Sequence, residues 1–296
     1  MERQVPLVSV IIPAFNRVSY IRETIHSVLN QNWPNIEIIV VDDGSSDGTF
    51  EALRQFADDQ KITLLSHANR ENKGQSAALN LGLRAASGEF IAILDSDDLF
   101  APTKLADQVN FLEAQPTFDM VYGKGLAIDQ NGNPLFYTLP ENHEETGDPA
   151  RILLDCYVAI PGGALFRRKL TERVGFFEET FRAAQDHDMA VRLFEAGKVG
   201  YLPEVAFHYR KHGDSISQRG LERRWKTGFE VLSRAKNRYP YPSHVIRKRA
   251  AVLNFRLGQT YWREGRRITA IPLLVKSAVL DPLRAFQVLF GRERAS

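Results

Sequence analysis

Three carboxylates fall within four residues at Asp95-Ser96-Asp97-Asp98. Like charges this close repel, so crowding them calls for a cation between them. A hard divalent ion, Mg2+ or Mn2+, meets that demand, because it takes oxygen ligands and shares them with phosphates. The same residues also suit an acidic loop capping a helix that begins near Pro102, and both readings stand. Two further acidic runs follow this pattern, Asp42-Asp43-Gly44-Ser45-Ser46-Asp47-Gly48-Thr49 and Asp186-His187-Asp188. Asp43 can open a turn with Gly44, and Asp47 suits the cap of the next helix. Asp188 reads as an N-terminal helix charge paired with Arg192 one turn on. Asp186 is then a lone acid at the mouth of a helix, whose dipole favours the charged form that accepts a proton. His187 and His208 read as solvated or packed residues, and His212 suits a ligand and a structural role equally.

The elements that must position these groups read as alternating strands and helices. Leu7 to Ile12 is a β-branched strand ended by Pro13, and Ile21, Ile25, Val28 and Leu29 recur at helical spacing with Ser19 placed to cap. Ile36 to Val41 is a second strand, followed by a helix through Phe50, Leu53 and Ala57. Ile62 to Leu65 is a third, followed by a helix through Ala78, Leu81 and Ala85. Phe90 to Leu94 is the fourth, and it runs straight into the Asp95 cluster. This alternation predicts a doubly wound, mainly parallel α/β sheet, with ligands at the C-terminal ends of its strands. Pro13-Ala14-Phe15-Asn16 follows the first strand where a dinucleotide-binding fold would place G-x-G-x-x-G, and no Gly-rich, Lys-bearing phosphate loop is present.

Beyond Asp98 the pattern predicts a helix through Leu105, Val109 and Leu112, a strand at Met120-Val121-Tyr122 and a hairpin turn at Asp129-Gln130-Asn131-Gly132. The stretch from Phe136 to Pro149 reads as a polar surface loop. Pro161 to Phe166 reads as a glycine-tolerant entry into a core strand. The Asp186 cluster precedes a helix through Met189, Leu193 and Phe194, and Ala206 to Arg210 alternates like an edge strand.

The chain has 296 residues, 44% hydrophobic and 25% charged, an ordinary globular composition able to bury one large α/β core plus an appendage. The formal net charge of +2 hides an asymmetry: Arg219 to Arg249 holds ten Lys/Arg against two acids, +8, which leaves −6 for the rest. The single cysteine, Cys156, excludes an intramolecular disulfide or a cysteine-based zinc site and reads as a small buried hydrophobe. No signal peptide is legible at Met1-Glu2-Arg3-Gln4, and no apolar run reaches the length of a spanning helix. The expectation is a cytoplasmic protein, peripheral at the inner face of the membrane at most.

Taken in order, Val8 to Asn16, Asp42 to Thr49, Asp95 to Asp98, Gln185 to Leu193 and Tyr209 to Ser217 resemble the motifs of the family 2 inverting glycosyltransferases, over roughly residues 5 to 220. The resemblance implies a GT-A fold and a nucleotide-diphosphate sugar donor, UDP by default, whose sugar goes to a hydroxyl of a glycan or lipid-linked acceptor in polysaccharide or glycoconjugate synthesis. It implies that Pro13, Ala14, Phe15 and Asp43 form the base-binding edge. It makes Asp95 and Asp97 the D-x-D pair that holds Mn2+ or Mg2+ against the diphosphate, with Asp97 the direct ligand and His212 nearby. Asp98 either orients the loop or touches the ion. Asp186 corresponds to the general base. Two departures stand out: Leu79 occupies a place where many members carry Arg, and Gln185 replaces a common Glu. Arg70, Lys73 or Arg210 is expected to supply the missing positive charge.

Residues 1–218 are thus expected to form the catalytic domain, nucleotide-binding to about 100 and acceptor-binding from about 101. Residues 219–296 are expected to be helical. Asn254 to Pro282 resembles a single tetratricopeptide repeat, which cannot bury its own face, so it should pack on the catalytic domain, on a second copy or on a partner. The basic 219–249 segment, interleaved with Trp225, Tyr239 and Tyr241, suits either solvent or anionic lipid headgroups. Nucleic acid has no support beyond charge. A non-catalytic nucleotide-sugar or glycan-binding module is the alternative function.

Overall fold

The computed structural model describes residues 5–213 and 220–289, with side chains through 287. Met1 to Gln4 and the Asp214 to Ser217 end of the last sequence motif lie outside the described residues. The first third alternates strand and helix as expected: β1 Val8–Ala14, α1 Ile21–Leu29, β2 Ile36–Asp42, α2 Thr49–Asp58, β3 Thr63–Ser66, α3 Gln75–Ala85 and β4 Phe90–Ile93. The middle holds β5 Leu99–Phe100, α4 Lys104–Ala114, β6 Met120–Ile128, β7 Pro134–Tyr137, α5 Pro149–Leu154, the single turn α6 Ile160–Gly163, β8 Ala164–Arg167, α7 Arg168–Val174, α8 Gln185–Ala196 and β9 Val199–Arg210. Four helices follow, α9 Leu221–Arg238, α10 Ser243–Arg263, α11 Arg267–Leu280 and α12 Pro282–Leu289.

One sheet runs in the order β3-β2-β1-β4-β8-β6-β9-β5, with β7 beside β6. The first four strands are parallel. β8 then lies antiparallel to both β4 and β6, and β6 and β9 are parallel. β1 is buried along its whole length because its alternating side chains serve two cores. Val8, Val10 and Ile12 meet Ile21, Ile25 and Val28 of α1 on one face, while Ile11 meets Leu79 and Leu83 of α3 on the other.

Several expectations need correction. Pro13 does not end the first strand; it lies inside β1 opposite Val41. Its missing N–H is tolerated because it would face the β4 side, and β1 pairs with β4 only as far as Ile11 opposite Ile93. Ser19 does not cap α1; Tyr20 stands at that position without a side-chain cap, and the Arg17 carbonyl accepts the Tyr20 and Ile21 N–H groups instead. Ala206 to Arg210 is no edge strand, since β9 runs between β6 and the short β5. The 136–149 stretch is more than a surface loop: Phe136 and Tyr137 belong to β7, Leu139 is buried, and Tyr122 and Tyr157 both donate to the Glu145 carboxylate. The Asp186 cluster lies within the first turn of α8 instead of preceding the helix. Cys156 is only partly buried.

Other expectations hold. The Asp129 turn closes through Asn133, whose carbonyl accepts the Asp129 N–H. Gly162, at φ +83°, lets the backbone pass so close to Phe207 that a Cβ there would stand 2.3 Å from the ring.

The C-terminal helices are joined to the sheet by shared packing. Val231, Leu232 and Ala235 of α9 and Val245 and Leu253 of α10 belong to the same apolar core as Met189 and Leu193 of α8. Part of the basic segment is engaged within the fold: Arg234 pairs with Glu178, Arg238 with Glu195 and Lys226 with Glu222, while Arg249 is buried. Trp225 and Tyr241 turn their polar ends to Thr260 and Glu195. α10 and α11 form a helical hairpin in which Gly258 fits against Leu274 and Ala270 is fully buried.

Candidate active site

Two loops at the carboxyl ends of β1 and β2 are fastened together first. The Asp43 N–H donates to the Ala14 carbonyl, Asn16 N–H to the Ser45 hydroxyl and Ser46 N–H to the Asn16 side chain. Asp47 accepts from the backbone of Val18 and Thr49, so it ties α2 to the β1 loop from the residue before the Gly48 cap. Pro13 and Ala14 are buried beneath this edge, and Phe15 is exposed on it. Asp43 reaches across: its two carboxylate oxygens accept from Lys73 N–H and Gly74 N–H, each at 2.8 Å, and so fix the loop before α3. The Lys73 side chain is exposed, with Glu71 3.8 Å away. Arg70 donates to the Ser45 carbonyl and lies over the Phe50 ring.

The carboxylates after β4 have three different settings. Asp98 is buried and accepts the Arg210 N–H at 2.8 Å; burial first, then Asp95 and Asp97, hold its carboxyl well above the usual range. It organises the loop. Asp97 shares one oxygen between Arg17 Nε at 2.9 Å and His212 Nε2 at 3.0 Å. Asp95 accepts from Gln75 Nε2 at 2.8 Å, and Gln75 in turn accepts from Gln185 Nε2 at 2.6 Å. That relay links the end of β4, the start of α3 and the start of α8, which brings Asp186 to the same edge. Burial pushes the Asp95 carboxyl up to about 7, helped by the charges of Asp97 and Asp186 and only partly offset by Arg17. The Asp95–Asp97 pair and Asp186 therefore converge, although the sequence separates them by some ninety residues.

Asp186 is the second residue of α8, and its Oδ1 accepts the N–H of His187 at 2.9 Å. The turn into α8 passes through Ala184 at φ +57°, a left-handed conformation that a residue with a Cβ adopts at a cost. Asp188 binds Arg192 through Nε and Nη2, as the helical spacing predicts. His212 stacks at 4.7 Å on Tyr20, and its Nδ1 has no hydrogen-bond partner among the described residues. A cleft of about 400 Å3 lies beside it, lined by Asp129, Gln130, Asn131, Lys211, His212 and Gly213.

Arg210 is turned inward. Its guanidinium donates to the carbonyls of Asp97 and Gln130 and to Glu23 at 2.7 Å, so its charge holds the loop and is not presented to the cleft. Leu79 is core, packed with Ile11, Ile91 and Ile93, so a cation at that place would be buried in apolar surroundings. The cation nearest the carboxylates is Arg17, which the sequence reading passed over although it directly follows Pro13 to Asn16. Gln75 was missed for the same reason, since neither residue type announces its chemistry.

Asp95 and Asp97 supply carboxylate oxygens and His212 an imidazole nitrogen, a donor set suited to Mn2+ or Mg2+. Among the described residues no three such groups close into a cage. That suits an ion which takes one or two carboxylates from the protein and the rest of its shell from a diphosphate.

The family described as Glycosyl transferase family 2 matches residues 9–175, a span that includes Asp43, Asp95 and Asp97 and stops short of Asp186. The chain is 33% identical over 229 residues to TuaG of Bacillus subtilis strain 168, a glycosyltransferase named for teichuronic acid biosynthesis, covering 76% of this chain and 86% of that one. It spans only 31% of the length of another curated relative, a glycosyltransferase from Rickettsia bellii. Among solved structures, S. aureus TarS residues 1–349 with UDP-GlcNAc superposes at a TM-score of 0.71 and 19% identity, covering 94% of this chain and 82% of that one. The mannosyltransferase PcManGT of Pyrobaculum calidifontis with GDP-Man and Mn2+ superposes at 0.63 and 24% identity, covering 97% and 79%. These likenesses give the chain the GT-A fold. With the family description matching more than half of its residues, the chain belongs to glycosyl transferase family 2.

Proposed function

We propose that the protein is a metal-dependent inverting glycosyltransferase that moves a sugar from a nucleotide-diphosphate donor, UDP-linked, to a hydroxyl of a glycan or lipid-linked acceptor. The convergence of the Asp95–Asp97 pair with Asp186 through Gln75 and Gln185 carries this reading. Asp186 takes the acceptor hydroxyl proton as the oxygen attacks the anomeric carbon, which typically contributes about 10²–10⁴-fold. The new C–O bond forms on the face opposite the breaking one, and the departing electron pair goes to the β-phosphate oxygen. A divalent ion at Asp97 and Asp95, with His212 beside it, would offset the negative charge growing on that oxygen. Phe15 lies along the nucleoside, and each Asp43 oxygen keeps a lone pair for a base N–H while holding the 73–74 backbone. Lys73 and Arg17 supply positive charge near the diphosphate, a role that the inward setting of Arg210 does not favour.

TarS with UDP-GlcNAc and PcManGT with GDP-Man and Mn2+ support a nucleotide-sugar donor and a metal. The test is a panel of UDP- and GDP-sugars, each with Mn2+, read by thermal shift and by donor hydrolysis. One donor is expected to stabilise the protein by about 2.7 kcal/mol at a hundredfold excess over its Kd. Asp97→Ala is expected to abolish the Mn2+-dependent part of that shift and to cut turnover at least about 10²-fold. Undiminished turnover in Asp97→Ala would sink the metal role.

A lipid-linked acceptor places the enzyme at a membrane surface, and α11–α12 supply a face for it. Ile268, Ile271, Val275, Val279, Leu283 and Phe286 are exposed along one side of these helices. No described helix is long and apolar enough to cross a membrane. Arg263, Arg266, Arg267 and Lys276 border the stripe against three acids, Glu222 and Glu264 paired to Arg266 and Asp281 between α11 and α12, so the border keeps a net positive charge that an anionic bilayer complements and a second, equally basic copy does not.

A further inference from the structure

We infer that Arg249, carried by α10 in the C-terminal helices, positions the Asp186 carboxylate through His187. The inference rests on the reading of Asp186 as the base. Arg249 is only 7% exposed, and among the described residues no carboxylate lies within ion-pair distance of it. A buried guanidinium is costly unless its donors are used. Here Nη1 donates to the Leu154 carbonyl at 2.8 Å, and Nη2 lies 3.2 Å from His187 Nδ1. On the other side of the ring, His187 Nε2 is 2.8 Å from the Ile152 carbonyl. A carbonyl only accepts and a guanidinium only donates, so the imidazole carries its proton on Nε2 and accepts at Nδ1. Both ring nitrogens are thereby committed, one to the end of α5 and one to α10. The ring is held as the neutral tautomer; burial first and then the Arg249 charge push its pKa down to about 3.

The next link is the backbone. The N–H of His187 is the donor that holds Asp186 Oδ1. Fixing the His187 ring fixes the first turn of α8, and that turn fixes the direction of the carboxylate. The strained entry at Ala184 makes this outside hold necessary, because a left-handed alanine gives no local preference for the turn. Arg249 is therefore a positioning residue of the transfer reaction, and α10 belongs to the catalytic apparatus. The charges acting on His187 are Arg249 on α10 and Arg224 on α9, while Asp155, after α5, acts on Arg249 in turn and the Asp188 carboxylate of α8 is taken by Arg192.

The experiment uses the full-length chain and donor hydrolysis with Mn2+, with UDP-GlcNAc as the first probe and the rest of the UDP- and GDP-sugar panel after it. Arg249→Met is expected to lower kcat by up to about 10²-fold with the donor KM within about twofold, the signature of a misdirected group and intact donor binding. With the Arg249 charge gone, His187 is expected to titrate above its wild-type value although burial still holds it below the ordinary one, so the variant loses activity at a higher pH than the wild type on acidification. Arg249→Lys, which keeps a donor and the charge, is expected to recover part of kcat and the wild-type pH profile. A merely structural role would lower Tm and leave kcat and the pH profile of the folded variants unchanged, and that result overturns the inference. Wild-type kcat in a folded Arg249→Met, or no recovery by lysine over it, goes against the inference; if Arg249→Met fails to fold, a folded Arg249→Ala whose kcat and pH profile match those of Arg249→Lys does so too. Asp186→Asn separates the two claims. If it turns over normally, the base reading itself fails; if it is inactive while Arg249→Met is normal, the positioning inference alone fails. The double variant should be no slower than Asp186→Asn, because both changes remove the same contribution.

Discussion

At the residue scale, the acidic clusters at Asp95–Asp98 and Asp186–Asp188 were legible as candidates, since charge crowded at a strand end or helix start suits either a cation site or a helix cap. Asp98 resolves as the loop's organiser once its bond to the Arg210 N–H is seen. Arg17, Gln75 and Arg249 were illegible for a physical reason: their significance lies in partners 80, 20 and 62 positions away, and no local pattern encodes such contacts. Leu79 makes a sharp test at this scale. Leu79→Arg would put a cation where the family resemblance implies one, yet the site here is core. It is expected to destabilise the fold by about 3–5 kcal/mol, the cost of an unpaired buried charge, read by urea denaturation. A stable, more active variant would contradict this placement.

At the scale of elements, the first four strands and three helices were readable because β1, β2 and β4 are dominated by buried β-branched and other apolar residues and α1 and α2 carry clear amphipathic stripes between them. β5 was invisible, being two residues long, and β9 was misread because alternation alone does not say whether a neighbour lies on the second side. β7 and the buried Leu139 were lost in a polar stretch whose order comes from Tyr122 and Tyr157. The contact of α9 with the segment before α8 gives a pH prediction. The bond to Arg234, with those from Thr180, holds the Glu178 carboxyl at about 2. A carboxyl lowered on folding contributes stability above its ordinary value near 4.5, and that contribution is lost as pH falls towards 2. The stability gap between wild type and Arg234→Ala is therefore expected to narrow as pH drops through this window, followed by denaturant unfolding. A gap independent of pH would show that Arg234 acts through packing.

At the scale of the whole molecule, the GT-A fold and the helical C-terminal region followed from the sequence, but their relationship did not. Residues 219–296 read as an appendage; among the described residues α9 and α10 share the core of the sheet, and α11 and α12 carry a run of exposed apolar residues. Three charges of the basic segment, Lys226, Arg234 and Arg238, are spent on ion pairs within the fold. Phosphatidylcholine vesicles containing phosphatidylglycerol are expected to sediment the protein in low salt, and pure phosphatidylcholine vesicles much less. Val275→Asp with Val279→Asp should abolish binding in both. Salt-independent self-association lost in the same variant, with no vesicle binding by the wild type, would assign this face to a second copy.

The central claim is a division of labour: the Asp95–Asp97 end handles the leaving group, and Asp186 handles the nucleophile. Calorimetry of the nucleotide sugar with Mn2+, run beside turnover on Asp186→Asn, tests it most directly. Donor affinity is expected to stay within about twofold of wild type while turnover falls at least about 10²-fold, because the base acts on the acceptor alone. Wild-type turnover in Asp186→Asn, or loss of donor binding together with activity, would contradict the account.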